Sequence, residues 1–226
     1  MAKAFLAGLA FGLLFGISAA DSRTWDGYTA REPVMRQPGR MEWRWDGGDR
    51  LGIDVPATVH YSAAGPVRVV ITGSDDLLAH IRFGQGHIWF EEGLRMVNDR
   101  DEKLDVQVSG MPLHDIAING SGRMMLGRID QDSLRVAIRG SGAASAEGRV
   151  DHLDLAIMGS GNADFEHVAS RQADIHIAGS GHVSAAPHDE VNITIAGSGD
   201  VRLAVRPAKV NRFIAGSGDI HMPGPD

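Results

Sequence analysis

Ten histidines, 29 carboxylates and a recurring serine between two glycines are the side chains of this 226-residue chain with the most chemical reach. The histidines (His60, His80, His87, His114, His152, His167, His176, His182, His188 and His221) are scattered, and none forms the spaced pair of a helical zinc site. A glycosidase or lyase needs converging carboxylates, or carboxylates beside Lys or Arg, in a cleft built by long loops. One irregular stretch, Ser74–Lys103, gathers such groups: Asp75, Asp76, His80, His87, Glu91, Glu92, Asp99, Asp101 and Glu102. No motif with a known mechanism runs through it, so a solvated charged loop is expected and no catalytic residue is assigned. The absence of cysteine excludes disulfides, thiolate metal sites, a cysteine nucleophile and a lipid anchor on cysteine. A net charge of −7 with three lysines, Lys3, Lys103 and Lys209, excludes nucleic acid as a natural partner.

The serines belong to a repeat. Gly-Ser-Gly begins at Gly120, Gly140, Gly159, Gly179, Gly197 and Gly216, at spacings of 18–20 residues. The second glycines are Gly122, Gly142, Gly161, Gly181, Gly199 and Gly218. Two residues before each first glycine stands an isoleucine: Ile118, Ile138, Ile157, Ile177, Ile195 and Ile214. Four before stand Ile116, Val136, Leu155, Ile175, Ile193 and, breaking the column, Arg212. That alternation of apolar and polar residues predicts a strand with one buried face. It resumes after the tripeptide, where Leu126, Ala146, Phe165, Ala185, Leu203 and Met222 largely alternate large with small. A unit of 19 residues cannot bury its own apolar face, and stacking coil on coil at about 4.8 Å solves this. The expectation is an all-β, parallel β-helix (solenoid) with coils of about 18–20 residues. A propeller blade or helical repeat needs a longer period.

In such a coil the glycines either flank a bend that needs positive φ or face inward where the wall comes close. The periodicity leaves both open. The serine hydroxyls are expected to bond backbone at the turn. Stacking also aligns Asn162, His182, Asp200 and Asp219, three after their first glycines. This column is a weak cation or surface-ladder candidate. Asp200 and Asp219 repel unless solvated, paired with Arg202, or bridged by an ion such as calcium. No resident metal or cofactor is assigned.

Met1–Ala20 reads as an address: one lysine, an uncharged apolar run from Ala4 to Ile17, and Ser18-Ala19-Ala20 before Asp21 suit cleavage of a signal peptide. An exported chain is expected, in the periplasm, at the cell surface or outside the cell, with no membrane span after cleavage. A retained anchor is the alternative, but the apolar run is short for a bilayer span. Residues 21–44 read as a linker or N-terminal cap, and 45–226 as the β-helix domain, with room for about nine coils. Leu51, Ile53, Val55, Ala57, Val59 and Tyr61 alternate as an early strand or strand pair. Val67, Val69 and Ile71 before Gly73-Ser74, and Leu104, Val106 and Val108 before Gly110, read as degenerate copies of the repeat. Trp43 and Trp45 are assigned to a cap or first strand, with a sugar-stacking platform as the alternative. Met222-Pro223-Gly224-Pro225-Asp226 is expected to blunt the final edge.

Repeated units such as IAGSGDV (195–201) and IAGSGDI (214–220), the upstream IDVPATV (53–59) and the segment LDVQVSGMPLHDIAINGSG (104–122) resemble the bacterial putative auto-transporter adhesin head GIN domain family. The resemblance covers about 45–222. It implies a single-stranded right-handed parallel β-helix in the bacterial envelope, and it brings no catalytic residues. Arg123, Ala143, Asn162 and His182 replace the final Asp of the family's GSGD in four copies. The function expected is a non-enzymatic, adhesin-like surface-interaction module. Its candidate partners are a surface glycan, an envelope protein or further copies of itself. A carbohydrate-active enzyme on the same fold, or a structural or regulatory envelope component without a ligand, is the alternative.

Overall fold

Runs that largely alternate apolar with polar residues build sixteen strands, beside one short helix, in a computed structural model that describes residues 28–91 and 104–224. Met1–Ala20, Trp25, Glu92, Asp99, Asp101, Glu102, Lys103, Pro225 and Asp226 lie outside the described residues. In chain order the elements are β1 (Met35–Gln37), β2 (Arg40–Arg44), β3 (Arg50–Ile53), β4 (Ala57–Ser62), β5 (Arg68–Thr72), α1 (Asp75–His80), β6 (Ile81–Gly84) and β7 (His87–Phe90). After the undescribed stretch come β8 (Leu104–Ser109), β9 (Asp115–Gly120), β10 (Arg123–Gly140), β11 (Ala143–Gly159), β12 (Asn162–Gly179) and β13 (His182–Gly197). The last turns are β14 (Asp200–Leu203), β15 (Lys209–Gly216) and β16 (Ile220–His221).

From β9 onward the chain is a parallel solenoid, stacked in register so that Gly120, Gly140, Gly159, Gly179, Gly197 and Gly216 lie one above another. Each long strand from β10 to β13 is one whole coil between tripeptides. Every Gly-Ser-Gly is a corner, and its two glycines do different work. The first turns the chain with positive φ, +128° at Gly159. The second points inward: a Cβ at Gly161 would sit 2.6 Å from Cγ2 of Ile138 in the coil above. The serine is exposed, and its backbone N–H makes the corner bond, as in Ser160 N to Gly140 O at 2.9 Å. The expected hydroxyl–backbone bonding is replaced by a backbone ladder, because a coil neighbour already offers a carbonyl there.

The apolar columns fill the interior. Ile118, Ile138, Ile157, Ile177 and Ile195 are all essentially buried, as are Phe165 and its small neighbours Ala146 and Ala185. The inward column ends at β15, where Ile214 is 37% exposed because no further coil covers it, whereas Phe213, 65% exposed, lies in the outward column of Ala156, His176 and Thr194.

The first half departs from a simple run of coils. β3 and β4 form one level, stacked directly on β9 and β10. The later segments β7 and β8 lie on the far side of that level, pairing parallel with β3 and β4. Stacking order and chain order therefore part company, and nine successive coils do not form. Gly73-Ser74 is no copy of the repeat either. β5 runs antiparallel to both β2 and β8. Ser74 instead caps α1, its Oγ accepting from Leu77 N at 3.3 Å, with Asp75 and Asp76 in the favourable first turn. Nor does Gly110 mark a repeat corner, since β8 belongs to the sheet that follows the corners. The hairpin β1–β2, with β5 and the antiparallel pair β6–β7, covers this end of the solenoid. Trp43 is 2% exposed within that cap, 6.1 Å from Phe83 between ring centres, and its Nε1 donates to Arg31 O. Burial removes it as a sugar-stacking platform.

Candidate functional site

The sheet that precedes the corners (β7, β3, β9, then the C-terminal parts of β10 to β13, then β15) turns alternate residues outward in three columns. One column is polar and cross-linked from level to level. Arg135 pairs with Asp154 at 3.2 Å, Asn192 donates to Asp174 at 2.7 Å, and Asn211 donates to Asn192 at 2.8 Å. The middle column begins Gly52, Ala117, Ala137, Ala156, and the third begins Asp54, Asn119, Arg139, Met158.

At the capped end these columns meet the β6–β7 hairpin and enclose a cleft of about 300 Å³. Gln85 and Gly86 turn that hairpin, both at positive φ, as a two-residue loop requires. The turn places His87 at the start of β7. His87 Nε2 meets Asp54 Oδ2, and Asn119 Nδ2 donates to Asp54 Oδ1. Arg139 Nη1 reaches Asn119 Oδ1 at 3.5 Å. The His87 ring lies against β3 at Gly52, where a Cβ would fall 2.2 Å from Nδ1, and Tyr28 stacks on it at 4.1 Å. Its nitrogens thus face Asp54 and the β3 backbone, and the ring is a wall that holds Asp54 and Tyr28. Arg50, Asp115 and Arg135 complete the polar rim, with Ala117, Ala137 and Ala156 as the floor.

Of the described groups from 74–103 that could do chemistry, only His87 reaches this cleft. Asp75 accepts from Gly39 N at 2.7 Å, and Glu91 pairs with Arg82. The sequence carries a usable sign in IRFGQGHIWF, a turn dipeptide between two alternating runs. Asp54, Asn119 and Arg139 have none, because they belong to different levels.

The column Asn162, His182, Asp200 and Asp219 lies on the other sheet. His182 Nε2 contacts Asp200 Oδ2 at 3.3 Å, and Asp219 N donates to Asp200 Oδ1 at 3.1 Å. Asp200 is thus held by a histidine and a backbone amide rather than by Arg202. Among the described residues no group of three or more His, Asp and Glu side chains converges as a metal site.

Further along the first face, His176 and Asp154 share a half-buried neighbourhood. Burial lowers the His176 pKa below 6.5, opposed by the nearby Asp154 and Asp174 carboxylates and reinforced by Arg135. Burial raises the Asp154 pKa, against the pull of Arg135, His176 and His152 and with the push of Asp174. A histidine left neutral by folding binds its proton more readily in the unfolded chain, so stability falls as pH drops below 6.5. Asp154 acts in the opposite sense at lower pH, holding its proton more tightly when folded. His176→Thr, which copies Thr194 one level on, is expected to flatten the loss of thermal midpoint between about pH 6.5 and 5. An unchanged slope in that window would refute this account of His176.

The chain is thus a parallel solenoid with an antiparallel cap at one end and an outward polar cleft beside that cap. The family model described as putative auto-transporter adhesin, head GIN domain, matches residues 86–207, and the chain belongs to that family. A putative adhesin from Bacteroides fragilis NCTC 9343 is similar in fold, with a TM-score of 0.64 at 14% identity, over 81% of this chain and 96% of that one. A protein titled putative lipid binding protein from Parabacteroides distasonis ATCC 8503 aligns with a TM-score of 0.51 at 16% identity, over 82% of this chain and 96% of that one. A putative adhesin from the same organism gives 0.51 at 14% identity, over 81% and 96%. No curated protein matches the sequence.

Proposed function

We propose that the chain is an exported, non-enzymatic surface-interaction module of the cell envelope, which binds a repetitive partner along the face of β9 to β15. The observation that carries this reading is the in-register stacking of outward residues into columns, the first of them polar at every level from Asp115 through Arg135, Asp154, Asp174 and Asn192 to Asn211. A lattice with one repeat per coil suits a polymeric partner better than a small metabolite. The family description and the adhesin-like solved structures support it. A lyase or hydrolase working in the cleft needs an available base, and His87 is engaged by Asp54 and stacked under Tyr28.

The full chain, expressed with its own N-terminus in a bacterial host, is expected in the envelope or medium. The purified protein should bind envelope fractions saturably without shortening polysaccharides. Retention in the cytoplasm, or turnover of any polysaccharide in a panel of neutral and acidic substrates, would overturn the reading.

A further inference from the structure

We propose that the cleft at the capped end binds one carboxylate-bearing sugar, a hexuronate unit of an acidic glycan, with Arg139 as its anchor. This deepens the surface-binding reading and rests on it.

The charged groups that line the cleft nearly all have a close side-chain partner. Asp54 is held by both His87 and Asn119. Asp115 faces Arg50 at 3.9 Å, and Arg135 pairs with Asp154 at 3.2 Å. Arg139 is the exception: among the described residues it has no carboxylate partner, only the neutral Asn119 Oδ1 at a long 3.5 Å. That bond also orients the amide, since Nδ2 is committed to Asp54 and Oδ1 is left for Arg139. The guanidinium therefore stands at the cleft as an unmatched, planar cation whose fork suits a carboxylate.

What surrounds Arg139 selects more than charge. Ala117, Ala137 and Ala156, on successive levels, line a narrow apolar floor between polar columns, in which Ala117 is half-buried while Ala137 and Ala156 are 9% and 3% exposed. A pyranose has the matching form, with an apolar C–H face and a hydroxylated edge. Ala117, the half-buried member of the floor, receives the first, while Asn119, Asp115 and Arg50 line the rim for the second. Tyr28 closes one end by stacking on His87. Beyond Ala156 the same column carries His176 and Thr194, so the apolar floor ends within the cleft and is sized for a single unit. A volume of about 300 Å³ is at the small end for a ligand site, which fits a sugar unit and not a folded partner.

The test uses the full chain, an oligogalacturonate and the same oligomer methyl-esterified, which keeps the shape and removes the charge. Titration calorimetry is expected to give measurable binding of the acid and at least about tenfold weaker binding of the ester. Arg139→Gln should weaken the acid by a similar factor and leave the ester unchanged, while Arg139→Lys should restore part of the loss. Unfolding curves of both variants are expected to overlay the parent, because Arg139 makes no buried ion pair. Equal binding of acid and ester, an Arg139→Gln variant as tight as the parent, or no binding of the acid at millimolar concentration would each overturn the proposal. Saturable binding to envelope fractions would survive such a failure, so the two readings fall separately.

Discussion

Gly159→Val is expected to cost about 2–6 kcal/mol of unfolding free energy, combining backbone strain with overpacking. Gly159 sits at φ +128°, outside the region a β-branched residue adopts, and a Cβ there would stand 2.4 Å from the Gly140 carbonyl oxygen. That oxygen is not free to move, because it accepts from Ser160 N in the ladder of corner bonds. Gly120 supplies the internal control. Its φ is +101°, yet nothing lies within 4 Å of a Cβ, since β3 above it ends at Ile53. Gly120→Val should therefore show only the strain component, about 1–3 kcal/mol. Urea unfolding of the two variants decides the matter. Equal losses would mean that close stacking of corners contributes nothing, and no loss at Gly159 would remove the account of the repeat altogether.

The second large effect is expected at Phe165→Ala, at about 3–5 kcal/mol. Phe165 is fully buried, and its in-register neighbour in the next coil is Ala185. Ala146 occupies the same column on the other side. These small neighbours have no side chain to swing into the space, so the cavity persists and the loss should approach the upper end of the range. Ala185→Leu in the Phe165→Ala background should recover part of it by refilling the column from the next level. Chemical denaturation that shows a loss under about 1 kcal/mol for Phe165→Ala, or no recovery in the double variant, would refute large–small alternation as the packing rule.

Both effects come from columns that are legible in the order of residues alone, because a repeat makes long-range contacts local in pattern. When each coil lies in register on the last, residues about 19 apart become neighbours, and the spacing of Ile118, Ile138 and Ile157 already states who touches whom. The same logic predicts a special corner at each tripeptide, though not the division of labour inside it. One glycine bends and the other admits the isoleucine above, which depends on backbone directions that periodicity does not carry. The serine hydroxyls depart from expectation for a related reason: the carbonyls that satisfy each corner come from the coil above, not from the local turn.

The first half of the chain is less legible because its pattern is strand-like without being repeat-like. Val67–Ile71 alternates as well as any coil strand, but alternation does not state direction, and β5 pairs antiparallel in the cap. The cleft is the clearest case. Asp54 meets His87 across 33 residues and Asn119 across 65. These contacts exist only because β3 is sandwiched between the later strands β7 and β9, an inversion that nothing in the spacing announces.

By itself, then, the sequence determined the solenoid, its coil length, its buried columns and the places where only glycine fits, since each follows from a period and in-register stacking. The tertiary structure alone decided which level lies on which, how the open end is capped, and that Arg139 is left unmatched beside an alanine floor. Those depend on the order in which non-consecutive strands pair, and pairing order is settled by packing over the whole molecule rather than by any local run of residues.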